Sequence, residues 1–147
     1  ERANLELLAT QLGLTFNNEN KTEKHPLTFT SWIEQIDVSN AGMDIIALTS
    51  KNEGTPVSLI EAQASGKPIV STDVGGIQNI VSSGQTALLS KSGDVDAFAE
   101  NLLKLVENDA LRYSMSNQGS EFVMEHFSYQ RLCRDMAGLY RRLLTKV

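Results

Sequence analysis

Short apolar runs alternating with helix-period segments predict an α/β fold, a parallel sheet covered by helices on both faces. Three observations carry that expectation. The runs Ile45 to Leu48, Ile69 to Thr72 and Ala87 to Leu89 are compact, as strands buried on both sides tend to be. Between them lie segments with helical start and stop signals, such as the one opening at Pro56 and ending before Gly66. Glycine-bearing loops, KNEGTP and DVGG, follow the first two runs, at the strand ends where open parallel sheets bind ligands.

Taken in chain order, Leu5, Leu8 and Leu12 recur at helical spacing and Gly13 follows as a stop, which predicts an amphipathic helix over residues 2–12. Residues 16–25, FNNENKTEKH, are polar and predict an exposed loop before a short strand at 27–30. A short helix is expected within 33–42 and a buried parallel strand over 44–50. The next helix, 56–65, has Thr55 as its N-cap and Pro56 as its first helical residue, since proline's missing N–H would be unpaired there anyway. Pro68 leads into the strand at 69–72, a short helix is expected over 77–81, and another strand over 87–89. Asp94 caps a helix whose inner stripe is Val95, Phe98, Leu102, Leu105 and Val106. Helices over 110–125 and 129–144 close the chain.

At 147 residues the chain suits one domain, 1–147, with a sizeable core and no need of disulfides. Its single cysteine, Cys133, excludes an internal disulfide framework. A net charge of −5 with scattered basic residues, clustered only near Arg131, Arg134, Arg141 and Arg142, argues against nucleic acid as a partner. No apolar run approaches the length needed to span a bilayer. His25 and His126 lack metal-ligand spacing, and no G-x-S-x-G, G-x-G-x-x-G or Walker sequence occurs, so hydrolase, dinucleotide and P-loop readings fall away.

The chemistry concentrates in SKNEGTPVSLIEAQASGKPIVSTDVGG, residues 50–76, where Glu53 and Glu61 flank a helix start with seven residues between them. The free N–H groups at about Val57 and Ser58, with the helix dipole behind them, suit a phosphate. Glu61 stands about 7 Å along the axis from Pro56 and leans back toward that tip, within reach of sugar hydroxyls. Its helix is short of charge, so it is expected to be largely buried and the carboxylate to need a partner or a wet cleft. Against this stand plainer readings, Glu53 as a solvated loop acid and Gly54 as a simple turn. Gly75 and Gly76 read two ways, as a tight turn or as a side-chain-free loop whose amides approach a ligand.

EGTPVSLIEAQASGKPIV resembles the signature of the retaining nucleotide-sugar glycosyltransferases of family four, E-G-x-P-x-x-x-x-E-A-x-A-x-G-x-P-V. MDIIALTS upstream, STDVGGIQNIV downstream and SSGQTALLSKSGDVDAFAENLLKLVEND beyond extend the likeness over about 29–127. The resemblance implies a Rossmann-like domain, the C-terminal, donor-binding half of a GT-B fold. It implies that Glu53 contacts the donor sugar beside the reacting carbon as the catalytic candidate. Gly54, Thr55, Pro56, Val57, Glu61, Gly75 and Gly76 would bind donor, with Glu61 on the ribose hydroxyls and the amides around Gly54 to Val57 on the diphosphate. It further implies metal-independent hexosyl transfer with retention, no cofactor beyond the nucleoside-diphosphate sugar, a role in polysaccharide, glycolipid or glycoconjugate synthesis, and a cytoplasmic location, peripheral to the membrane in the full-length protein.

Three departures from that pattern stand out. Ser31 occupies a position where the family usually has glycine, and Gln78 and Asn79 replace a proline and an acid after the Gly-Gly pair. The first strand, with its diphosphate-binding lysine and arginine, and the acceptor-binding half would precede Glu1, so the chain reads as a donor-binding domain that binds weakly and transfers nothing alone. The remaining readings are a non-catalytic nucleotide-sugar-binding or assembly module and a GT-B-fold sugar-nucleotide epimerase or phosphorylase. The last helix carries an apolar stripe, Leu132, Met136, Leu139, Tyr140 and Leu143, which predicts packing on this domain or self-association.

Overall fold

The computed structural model describes residues 1–18 and 25–145. They form two compact units, Glu1–Ile36 and Asp37–Val147.

In the first unit, helix α1 (Arg2–Gln11) precedes two short strands, β1 (Phe16–Asn18) and β2 (Leu27–Phe29), paired in parallel with Phe16 opposite Leu27. The loop expected over 16–25 therefore begins as a strand, and residues 19–24 lie outside those described. Phe16 supplies the reason: its ring meets Phe29 edge to face at 5.4 Å, a contact between strands that no local pattern announces. The expected leucine stripe of α1 is exposed at Leu5, Leu8 and Leu12, and the buried residue is Ala9. Arg2 donates to Ser31 Oγ at 2.6 Å and its guanidinium lies 5.5 Å from the Phe29 ring centre. Ser31 is, among the described residues, the non-glycine position with positive φ, 54°.

The second unit is built on a three-stranded parallel sheet, order β3-β4-β5, with β3 Ile46–Leu48, β4 Ile69–Asp73 and β5 Ala87–Lys91. Alternation along β4 sends successive side chains to two cores. Ile69 joins Leu59, Ala62, Ile77, Ile80, Val81 and Ala87 on one face, while Val70 joins Leu105 and Met115 on the other. Each fully buried aliphatic side chain contributes roughly 1.5–3 kcal/mol of transfer free energy, so β4 is the mechanical centre of the unit. In β3, at the sheet's edge, Ala47 is exposed, and the strand is shorter than the predicted 44–50.

Among the described residues the remaining helices are α2 (Ile36–Ala41), α3 (Val57–Ala64), α4 (Val95–Glu107), α5 (Asp109–Phe127) and α6 (Tyr129–Leu144). Three of them start at side chains that accept a backbone N–H as caps require: Asp94 from Ala97, Asn108 from Leu111 and Ser128 from Arg131. Along α4, Leu105 is buried and Phe98 and Leu102 pack against the core, but Val95 and Val106 are exposed. The helix expected over 77–81 is a single 3-10 turn, Ile77–Asn79. On α6 no described residue is buried, so the stripe from Leu132 to Leu143 is left largely exposed, and Cys133 is exposed there too. No helix among the described residues is long and apolar enough to cross a membrane.

Candidate active site

Two loops leave the carboxyl ends of neighbouring parallel strands, Thr49 to Pro56 after β3 and Val74 to Gly76 after β4, and they press against each other. A Cβ placed on Gly75 would stand 1.8 Å from the Glu53 carbonyl oxygen, and one on Gly76 1.8 Å from that of Gly54. No side chain fits at either position. Gly75 also adopts φ +53°, in the left-handed region that glycine enters without strain. The amide of Gly76 donates to the Glu53 carbonyl at 3.0 Å, so the pair acts first as a seat for the Glu53 loop. The close approach of the two loops accounts for glycine at both positions, and the Gly76 N–H is engaged by the Glu53 carbonyl.

A second tether lies a few residues earlier. Thr72 Oγ1 donates to the Ser50 carbonyl at 2.6 Å, fixing the beginning of the loop as Gly76 fixes its middle. Gln78 closes the far side, its amide 2.7 Å from the Asp73 carboxylate.

The helix that follows starts one residue later than the sequence suggests. Pro56 is the N-cap of α3, with ψ at 99°, and Thr55 is exposed; no side chain caps the first turn. Proline's φ of −71° suits either position, but its extended ψ keeps it outside the helix. Leu59 N–H reaches the Pro56 carbonyl at 3.0 Å, and the earlier N–H groups of α3 are left without an intrahelical acceptor. The start of α3 thus presents uncapped backbone donors, an arrangement suited to an anion, with half-buried Glu53 in the adjoining loop.

Glu61 lies one turn beyond that tip and is exposed, contrary to the expectation of burial. The helix buries Leu59, Ala62 and Gln63, and turns Ser58, Glu61 and Ala64 outward. Low charge in the segment reflects small residues on the outer face, not burial all round. Gln63 is fully buried instead. Its amide nitrogen donates to the carbonyls of Leu59 at 3.2 Å and Ile80 at 2.9 Å, which ties α3 to the turn after the Gly-Gly loop.

Beyond the strand ends, on the face of α4, lies a cavity of about 310 Å³ lined in part by Thr49, Lys51, Thr72, Lys91 and Phe98. It does not include Glu53 or Glu61. Sequence reasoning singled out neither lysine nor Thr72; the signal available was their placement at, or within a few residues past, the ends of the apolar runs.

Comparison with known proteins decides the family. The profile described as Glycosyl transferases group 1 matches residues 10–108, more than half of the chain. This chain belongs to that family. A D-inositol 3-phosphate glycosyltransferase of Corynebacterium urealyticum is 34% identical over 105 residues, 69% of this chain and 24% of that protein. The protein of the same description from Corynebacterium jeikeium is 33% identical over 143 residues, 97% of this chain and 32% of the relative. The chain thus spans about a quarter to a third of the curated relatives it matches. Among solved structures, sucrose-phosphate synthase from Thermosynechococcus elongatus superposes with a TM-score of 0.78 at 24% identity, covering 99% of this chain and 35% of that one. Anabaena Alr3699/HepE in complex with UDP-glucose gives 0.79 at 20% identity, covering 95% and 36%. These likenesses show the Rossmann-like α/β fold, and the group 1 chain corresponds to the C-terminal domain of a GT-B glycosyltransferase.

Proposed function

We propose that this domain holds the donor of a retaining glycosyltransferase, which transfers a hexosyl group from a nucleoside-diphosphate sugar to a glycan or lipid acceptor. The observation that carries the reading is the uncapped tip of α3 beside Glu53, with the loop bearing Glu53 seated on Gly75 and Gly76. Family membership supports it, as does the complex that Anabaena Alr3699/HepE, a protein with the same fold, forms with UDP-glucose.

In this reading the amides from Gly54 to Val57 take the diphosphate and stabilise it as it leaves, electrostatic preorganisation that requires no metal. Glu61, on the open face of α3, meets the ribose hydroxyls, and its exposure leaves it accessible to them. Glu53 faces the donor sugar beside the reacting carbon. Gly75 and Gly76 serve the donor by holding Glu53. Retention follows same-face attack by the acceptor, for which this domain supplies charge stabilisation and an N-terminal half would supply the acceptor. The uncovered stripe of α6 is the surface through which copies of the chain self-associate; a monomer by light scattering at high concentration removes that element.

Calorimetric titration with UDP-, GDP- and ADP-sugars tests the reading. Binding of one of them, weakened in Glu61→Ala by about 10- to 100-fold, is the expected result, because charge-assisted hydrogen bonds are worth roughly 1.5–3 kcal/mol. Equal affinity in the variant takes Glu61 out of the site, and no binding of any sugar nucleotide sinks the donor reading. The chain alone should transfer nothing.

A further inference from the structure

We propose that Thr72 is a positioning residue for Glu53, acting through the Ser50 carbonyl. The inference rests on the donor-site reading of Glu53. Thr72 stands near the carboxyl end of β4 and is 7% exposed, so its hydroxyl needs a protein partner, and the Ser50 carbonyl at 2.6 Å supplies it. Three residues further along the loop, Glu53 is held by the Gly76 amide at 3.0 Å. The two bonds are successive rungs between one loop and one segment of β4 and its turn. Between them lie Lys51 and Asn52, and with both rungs closed the course of the backbone into Glu53 is set from both sides. With the first rung open, the seat on Gly75 and Gly76 holds it from one side.

Two features separate this role from general support of the fold. Ser50 is half-buried, so leaving its carbonyl without the hydroxyl costs less than orphaning a fully buried acceptor. Valine keeps the shape of threonine on the sheet face that Thr72 shares with Val70, opposite Ser90 in the register. Thr72→Val therefore removes the tether while leaving the packing, and Thr72→Ser restores the hydroxyl at the expense of a methyl group.

The test uses the 147-residue chain and its two variants, with thermal melting, amide hydrogen exchange followed by NMR, and titration with UDP-, GDP- and ADP-glucose. In Thr72→Val the melting midpoint should stay near that of the unmodified chain. Exchange at the Gly76 amide should rise about tenfold, with central β4 amides unchanged, and donor affinity should fall about fivefold or more. Thr72→Ser should recover both readouts to within about twofold even where it melts lower. Unchanged exchange at Gly76 in Thr72→Val overturns the proposal whatever the titration gives, as does failure of Thr72→Ser to rescue. If the unmodified chain binds donor and Thr72→Val binds it equally, positioning falls and the donor site stands. If the unmodified chain binds none of the three, the donor reading falls and takes this role with it.

Discussion

Gly75 and Ser31 occupy the same corner of backbone space, with φ of +53° and +54°, yet one position admits no side chain and the other carries one. The dihedral angle alone costs an L-residue roughly 1–2 kcal/mol, which a local contact can offset. At Ser31 the contact is visible: Arg2 donates to its Oγ at 2.6 Å, while the same guanidinium lies near the Phe29 ring and pairs with Glu6 at 3.0 Å. Gly75 faces a different obstacle, a backbone carbonyl 1.8 Å from where a Cβ would be. No rotamer moves a carbonyl. Glycine at the first kind of position is a preference, and at the second a requirement, which is why serine is tolerated at 31 while Gly75 leaves no room for a side chain.

The largest break in this contrast is expected from Gly75→Ala and Gly76→Ala. Either forces the Glu53 loop off its seat, and each should lower unfolding free energy by about 3 kcal/mol or more, or prevent folding, as urea denaturation would show. A midpoint near the unmodified chain's would mean that the two loops separate easily. Next comes Ser31→Val, where a β-branched side chain enters the left-handed region without the hydroxyl; a loss of about 1–2 kcal/mol is expected in the same denaturation experiment. Gly119→Ala sharpens the point from a third angle. Its Cβ would meet Gln63 Cγ at 3.4 Å, an ordinary contact with a side chain, in the interior of α5. Here the gain in helix propensity should win, stabilising the chain by about 0.5–1 kcal/mol in thermal melts. The smallest effect belongs to Ser31→Gly, in which relief of strain, a freer unfolded chain and the lost Arg2 bond nearly cancel. A change within about 0.5 kcal/mol is expected; a large loss would show that the Arg2 contact governs the site, and a large gain that the angle does.

What the sequence made legible follows the same division between local and distant causes. The bounds of α6 could be read because Ser128 caps it and its stripe repeats at helical spacing, and Asp94 announces α4 in the same way. Parallel strands and their order of loops were legible from compact apolar runs. Strand β1 was not, since FNN holds one apolar residue and its pairing partner lies beyond the intervening segment. The shift of the α3 cap from Thr55 to Pro56 escaped because proline's φ is compatible with both places. In the candidate site, Glu53, Glu61 and the glycine pair were named from spacing and resemblance. The tethers from Thr72 to Ser50, Gly76 to Glu53 and Gln63 to Ile80 were not, because each joins residues far apart in the chain and leaves no periodic trace.

Cys133, the chain's single cysteine, is exposed and sits on α6 one turn before Met136 and two before Tyr140. A thiol-reactive fluorophore attached there would occupy one defined place beside the uncovered stripe. Its emission and anisotropy would register whatever comes to lie over that helix, without any engineered label elsewhere in the chain.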